Sequence, residues 1–124
     1  MKIAQIAQRA TNLDRAVVFY SHLLGQEVSA RFDPPGLAFF NLEGTRLLLD
    51  RGAPSALIYF AVDDVRSKTE ELRAMGIQIA AEPHVIFTHE NPSIGPIGTN
   101  EWMAFIVDSE GNTVGLVSWA PSKA

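Results

Sequence analysis

The predicted elements of this chain occur in the same order twice: a strand, a helix, a glycine and three further strands. In the first half, a strand over residues 2–8 precedes a helix over 13–24, and Gly25 ends the helix. In the second half, the corresponding helix covers residues 65–75 and Gly76 follows it. This repetition predicts a duplicated fold in which each copy supplies four strands and one helix.

The two helices are identified by apolar residues at helical spacing and by residues that favour helix ends. In the first helix the apolar stripe consists of Leu13, Ala16, Val17, Tyr20, Leu23 and Leu24. Asn12 is placed to cap this helix, and Gly25 can adopt the left-handed conformation that ends it. The second helix has Asp63 or Asp64 as its predicted cap and Gly76 as its end.

Turn residues separate the remaining segments, which have the composition of strands. The predicted strands are residues 27–32, 37–42, 46–50, 57–62, 102–107 and 113–119. Residues 88–100 contain two prolines, two glycines and two asparagines, which predicts an irregular loop. The second copy is the longer one, and we assign its extra residues to this loop.

These elements predict an α+β protein with one domain over residues 1–124. Module one covers residues 1–52 and module two covers residues 53–124, and each has the order βαβββ. A sheet covered by helices on one side must bury or enclose its other side. We therefore expect the paired modules to form a curved mixed sheet around a cleft. The sequence leaves open whether the modules pair within one chain or between two chains.

Composition and charge exclude several classes of partner. With 47% hydrophobic and 19% charged residues, the chain has the composition of a globular protein. Its formal net charge of −4 gives no reason to expect binding to nucleic acid or to an anionic membrane. The chain has no cysteine, which excludes disulfides, thiolate metal ligands and a cysteine nucleophile. No apolar segment approaches the ~20 residues of a membrane span, and we predict a cytoplasmic protein.

Three segments resemble the vicinal oxygen chelate superfamily, which includes glyoxalase I, bleomycin resistance proteins and extradiol dioxygenases. The segments are residues 12–20 with the following Leu23-Leu24-Gly25, residues 60–65, and residues 105–112. The resemblance extends over roughly residues 3–119. It implies the duplicated fold described above and a homodimer.

The resemblance also implies where a metal would be held, because metal-dependent members supply one ligand from each of the first, fourth, fifth and eighth strands. Matched by motif, these positions are Gln5, Leu48, Leu57 and Gly115. Only Gln5 offers an oxygen, and moving the second position to Asp50 adds one ligand at most. A divalent ion requires about three or more nitrogen or oxygen ligands. We therefore expect a cleft without a metal or other cofactor, and without glyoxalase or extradiol dioxygenase chemistry.

Seven polar or aromatic residues are the predicted ligand-binding set: Gln5, Asp50, Tyr59, His84, His89, Glu101 and Trp102. Gln5 is either a hydrogen-bonding group for a ligand or a buried glutamine bonded to backbone. His84 and His89 would face opposite sides of an unbroken strand, although a loop starting near Thr88 removes that constraint. Trp102 offers a flat surface for an organic ligand or a side chain for core packing.

The leading hypothesis is a small-molecule binding protein, similar to the bleomycin resistance proteins, that sequesters an aromatic or apolar compound. The alternative is an enzyme. It would be a metal-dependent lyase, isomerase or dioxygenase with ligands relocated to Gln5, His84, His89 and Glu101, or a metal-free acid–base catalyst. A third hypothesis is an interaction module that has no ligand.

Overall fold

A computed structural model describes residues 1–122 of the chain. In chain order the elements are β1 (Lys2–Arg9), α1 (Leu13–Leu24), β2 (Ala30–Phe32), β3 (Leu37–Leu42), β4 (Thr45–Asp50), β5 (Leu57–Ala61), α2 (Val65–Ala74), β6 (Ile79–His89), β7 (Thr99–Val107) and β8 (Thr113–Pro121). The predicted α+β fold with two βαβββ modules is confirmed. Among the described residues, neither helix has the length and apolar character needed to cross a membrane.

All eight strands belong to one mixed sheet in the order β2-β3-β4-β1-β5-β8-β7-β6. The first strands of the two modules, β1 and β5, pair antiparallel at its centre, so the modules pair within one chain. Each of these strands also pairs in parallel with the last strand of its own module. At the outer edges, the rings of Phe32 in β2 and Phe87 in β6 lie 5.6 Å apart. The sheet therefore curves until its two edges meet, and it encloses its concave face.

Alternating side chains along the strands divide the core between the two faces of the sheet. Phe40 and Leu49 pack with α1 on the convex face. Their chain neighbours Phe39 and Leu48 belong to the cluster on the concave face. In the second module, Ala104 packs with α2 whereas Met103 belongs to the concave cluster. The helices thus cover the outside of the sheet and leave its concave face available for a cavity.

The predicted helix ends are confirmed. The side chain of Asn12 accepts a hydrogen bond from the backbone nitrogen of Arg15 at 3.0 Å, and Gly25 has a φ of 67°. Of the two possible caps of α2, Asp64 fills the position, since its carboxylate accepts from the backbone nitrogen of Arg66 at 2.8 Å.

The loop predicted over residues 88–100 is shorter in the structure. Strand β6 continues to His89 and β7 begins at Thr99, because Thr88 pairs with Asn100 and His89 pairs with Thr99. The hydroxyl of Thr88 also donates to Oδ1 of Asn100 at 2.6 Å. Only residues 90–98 are irregular. The strand predicted over residues 27–32 is likewise reduced to Ala30–Phe32.

Candidate functional site

The concave face of the sheet encloses a cavity of about 320 Å³, which we call the concave cavity. Most of its wall is apolar, with Phe32, Phe39, Leu48, Phe87, Ile94 and Met103 among its residues. Its polar wall residues are Gln5, Arg46, Asp50, Tyr59 and Glu101. An apolar cavity of this size with a few polar groups is typical of sites for small organic molecules.

A buried ion pair connects the two modules at the wall of the cavity. Nη1 and Nη2 of Arg46 donate to Oε1 and Oε2 of Glu101, both at 2.7 Å. Both side chains are almost fully buried, at 5% and 2% exposure. Arg46 Nη1 also donates to the carbonyl oxygen of Ile94 at 3.2 Å. Two-point contact between a guanidinium and a carboxylate fixes the orientation of both groups as well as their separation.

Two further donors hold the Glu101 carboxylate. Nε2 of His89 lies 2.8 Å from Oε1 of Glu101, and Nε1 of Trp119 donates to the same oxygen at 3.1 Å. His89 is only 1% exposed, and its ring packs against Gly95, where an added Cβ would lie within 2.8 Å of Nε2. Glu101 is therefore a fixed anion inside the protein, surrounded by donors from β4, β6 and β8.

Burial and these hydrogen-bond donors change the pKa of the Glu101 carboxyl group. Burial alone would raise the pKa of the carboxyl group, but the hydrogen bonds and charge of Arg46, together with His89, lower it below its ordinary value. For Tyr59, burial is the main cause of a raised pKa, and the charge of Asp50 adds to the increase. At neutral pH the cavity wall therefore carries an ionised Glu101 and a neutral phenol.

The lowered pKa of Glu101 predicts a loss of stability in acid. In the unfolded chain the pKa returns to about 4.5, so near and below that pH the unfolded state binds more protons than the folded state. The stabilisation by Glu101 is fully present above that pH and is lost as pH falls through the folded pKa. We expect the free energy of unfolding of the wild type, relative to Glu101→Gln, to decrease from pH 6 to pH 3 in urea titrations. A constant difference across this range would contradict the lowered pKa.

Four neighbouring strands place one residue each in a row across the centre of the concave face. In register, Arg46 of β4 lies beside Gln5 of β1, Gln5 beside Tyr59 of β5, and Tyr59 beside Gly115 of β8. An added Cβ at Gly115 would collide with the Tyr59 ring, at 2.9 Å from both Cγ and Cε2. The phenol ring of Tyr59 therefore fills the space that a side chain at Gly115 would occupy.

This row does not fit a divalent metal ion. A guanidinium repels a cation and Gly115 has no donor atom. The raised pKa of Tyr59 keeps its phenol protonated, so the row offers two neutral oxygens, from Gln5 and Tyr59, and no anionic ligand. At the other two positions matched by motif, Leu48 and Leu57 have hydrocarbon side chains. The residues of this chain are therefore a poor match for the metal site that the resemblance implies.

Of the seven predicted site residues, Gln5, Asp50, Tyr59 and Glu101 lie on the wall of the concave cavity. His89 lies behind the wall, in contact with Glu101. The other two predicted site residues, His84 and Trp102, do not line the cavity, and their predicted placement is wrong. His84 is exposed, with Nδ1 2.8 Å from the carbonyl oxygen of Glu82.

Trp102 lies on the opposite face of β7, where it packs with α2. The guanidinium of Arg66 lies 4.4 Å from the centre of its ring. The physical reason is alternation along the strand, because the neighbouring residue Glu101 faces the cavity. Trp102 therefore belongs to the core under α2.

Arg46 is a residue of the cavity wall that sequence analysis missed. It lies on the same face of β4 as Leu48 and Asp50, both of which line the cavity. A charged residue at an inward position of an otherwise apolar strand was the available signal, since such residues are buried only when they are paired. Its partner Glu101 is on the other module, which no local pattern indicates.

Comparisons with known proteins agree with the fold. A hypothetical protein from Bacillus halodurans C-125 is 18% identical, with a TM-score of 0.72 over 99% of this chain and 96% of that one. A Streptomyces coelicolor methylmalonyl-CoA epimerase in complex with 2-nitronate-propionyl-CoA is 18% identical, with a TM-score of 0.66 over 94% and 93% of the two chains.

A glyoxalase/bleomycin resistance protein/dioxygenase superfamily member from Vibrio splendidus 12B01 is 12% identical, with a TM-score of 0.64 over 92% of this chain and 95% of that chain. At these identities the likeness concerns the fold. No curated protein matches the chain in sequence. The model of one family matches residues 2–116. The chain belongs to the glyoxalase/bleomycin resistance protein/dioxygenase superfamily.

Proposed function

We propose that this protein binds a small aromatic or otherwise apolar organic molecule in the concave cavity, without a metal ion. The observation that carries the proposal is the wall itself, which is mainly apolar and contains the rings of Phe32, Phe39 and Phe87. Transfer of an apolar ligand from water into such a cavity is favourable by about 25 cal/mol per Å² of buried apolar surface. Aromatic rings add edge-to-face contacts to that gain.

Gln5 supports a ligand that also carries a hydrogen-bond donor. It is 1% exposed and lies on the cavity wall, and its Oε1 has no hydrogen-bond partner among the described residues. Leaving a buried acceptor unpaired costs about 1–3 kcal/mol. A hydroxyl or N–H group of the ligand that reaches Gln5 would recover part of this cost and would orient the ligand.

The same residues give less support to an enzyme. Of the four relocated metal ligands, His84 is exposed and directed at the Glu82 carbonyl, and Nε2 of His89 is already bound to Glu101. As an acid–base group, Glu101 is limited by its three donors on Oε1 and by its lowered pKa, which keep it ionised. A general acid or base needs a pKa near the working pH. We therefore favour binding over catalysis; the homodimer and the cytoplasmic location stay predictions.

The test is to obstruct the cavity and measure binding of a neutral aromatic probe, N-phenylnaphthylamine. Leu37 lies on the wall of the concave cavity, so the larger side chain of Leu37→Trp would occupy ligand space. The control is Leu23→Trp, which adds the same ring to an α1 residue that is 64% exposed. We expect Leu37→Trp to weaken binding at least about tenfold and Leu23→Trp to leave it unchanged, with direct excitation of the probe as the readout.

Thermal melting of both variants verifies that they are folded at the temperature of the titration. Equal probe affinity in the wild type and in folded Leu37→Trp would mean that the probe binds elsewhere. That result, or the absence of any binding to the wild type, would contradict the proposed site.

A further inference from the structure

We infer that Glu101 sets the charge selectivity of the concave cavity: by neutralising Arg46, it makes the cavity select uncharged aromatic ligands over anionic ones. The inference rests on the proposed function, because it concerns the ligand of the same cavity. It assigns Glu101 a positioning role, which it exerts through Arg46.

An arginine on the wall of a ligand cavity would ordinarily be an anchor for a carboxylate, sulfonate or phosphate. Arg46 is prevented from acting in this way. Its Nη1 donates to Glu101 and to the carbonyl oxygen of Ile94, and its Nη2 donates to Glu101. Its guanidinium carbon also lies 5.6 Å from the ring centre of Phe39 and 5.9 Å from that of Trp119. The edge formed by Nη1 and Nη2 is therefore already occupied by Glu101, and the single N–H of Nε, which is buried without a hydrogen-bond partner among the described residues, is the one donor of the guanidinium left over.

A ligand anion would have to displace Glu101 to reach Arg46. The carboxylate of Glu101 is held by donors from three strands, since His89 and Trp119 bind it in addition to Arg46. Displacement would leave a second buried anion without its cation, which is strongly unfavourable. The internal carboxylate is a permanent occupant of the anion site.

The remaining charge on the cavity wall is also unfavourable for an anion. Arg46 and Glu101 cancel each other, and the third charged residue of the wall is Asp50. The carboxylate of Asp50 accepts a hydrogen bond from the backbone nitrogen of Gly52 at 2.8 Å, and its charge contributes to the raised pKa of Tyr59. A ligand anion would thus lose its water in a cavity whose net charge is negative. A neutral ligand has no such cost.

The first arm of the test compares two probes that differ by a single sulfonate group, neutral N-phenylnaphthylamine and anionic anilinonaphthalene sulfonate. We expect the wild type to bind the neutral probe at least about tenfold more tightly. Equal affinities, or tighter binding of the sulfonate, would overturn the inference and leave the proposed function intact. Binding of neither probe would overturn both.

The second arm uses Glu101→Gln, which removes the anion while nearly preserving the shape of the side chain. Arg46 then has an uncompensated charge on the cavity wall, so the affinity ratio should move towards the sulfonate by at least about tenfold. The control Glu90→Gln makes the same change in net charge at an exposed residue and should leave the ratio unchanged. An unaltered ratio in folded Glu101→Gln would show that Glu101 does not set the selectivity.

A double variant keeps the test decisive if Glu101→Gln does not fold. In Arg46→Met/Glu101→Leu both charges are removed together, so the ion pair is replaced by apolar side chains with the same net charge of zero. The wild-type preference for the neutral probe should persist within about threefold in this variant. A change of the ratio by more than about threefold would overturn the inference.

Discussion

The Glu101→Gln variant is expected to have a free energy of unfolding about 3–5 kcal/mol lower than the wild type, measured by urea denaturation at pH 7. Glu101 is 2% exposed, and Arg46 has no other carboxylate partner among the described residues. Removal of the anion leaves the guanidinium buried and unpaired, and it also removes the acceptor of His89 and Trp119. For a domain of this size, such a loss is a large fraction of the total stability.

Comparing Glu101→Gln with the double variant Arg46→Met/Glu101→Leu separates two free energies: the cost of leaving one charge buried and unpaired, and the net contribution of the ion pair to stability. Apolar side chains of similar volume often replace a buried ion pair without loss, because no charge then has to be desolvated. We expect the double variant to be at least about 2 kcal/mol more stable than Glu101→Gln. If the double variant were the less stable of the two, the pair itself would be a net source of stability.

The fold could be predicted because its signals are local and occur twice. The stripe of α1, the cap at Asn12 and the end at Gly25 are each set within a few residues, and the structure has all three, except that Leu23 of the predicted stripe is 64% exposed. The second helix has the same signals and ends within one residue of the prediction. The antiparallel pairs β3–β4 and β7–β8 follow from short turns, which leave few alternatives for the chain.

Whether a residue faces the cavity could be predicted by alternation on β1, β4 and β5, but not on β6. Alternation placed Gln5, Asp50 and Tyr59 on the cavity wall. Strand β6, by contrast, has register shifts between Ile79 and Ala81, Ala81 and His84, and Val85 and Phe87. Each shift changes which side chains face inward, so the faces of β6 cannot be read from sequence spacing alone.

The Arg46–Glu101 pair illustrates a different limit. The two residues are 55 positions apart, on strands β4 and β7 of different modules. These strands are not neighbours in the sheet, since β1, β5 and β8 lie between them. Their side chains meet because the sheet curves around the cavity. That curvature is a property of the assembled sheet and has no local sequence signal.

Gly115 is the other position where a small change has a large predicted effect. It lies in β8 directly beside Tyr59 of β5, and the phenol ring occupies the space that a side chain would need. In a strand, alanine is ordinarily more favourable than glycine by about 0.5–1 kcal/mol. Here the added methyl group would meet a ring that is itself packed at 5.6 Å from Phe105, measured between ring centres.

We therefore expect Gly115→Ala to lower the free energy of unfolding by about 1–3 kcal/mol, because overpacking outweighs the gain in strand propensity. The control is Gly52→Ala, since an added Cβ there would have Asp50 Oδ1 as its nearest atom at 3.8 Å, an ordinary contact. Its expected effect is within about 0.5 kcal/mol. In the double variant Gly115→Ala/Tyr59→Val the collision is absent, so Gly115→Ala should cost less in that background. Equal costs of Gly115→Ala with and without Tyr59 would show that the ring does not fill the space above Gly115.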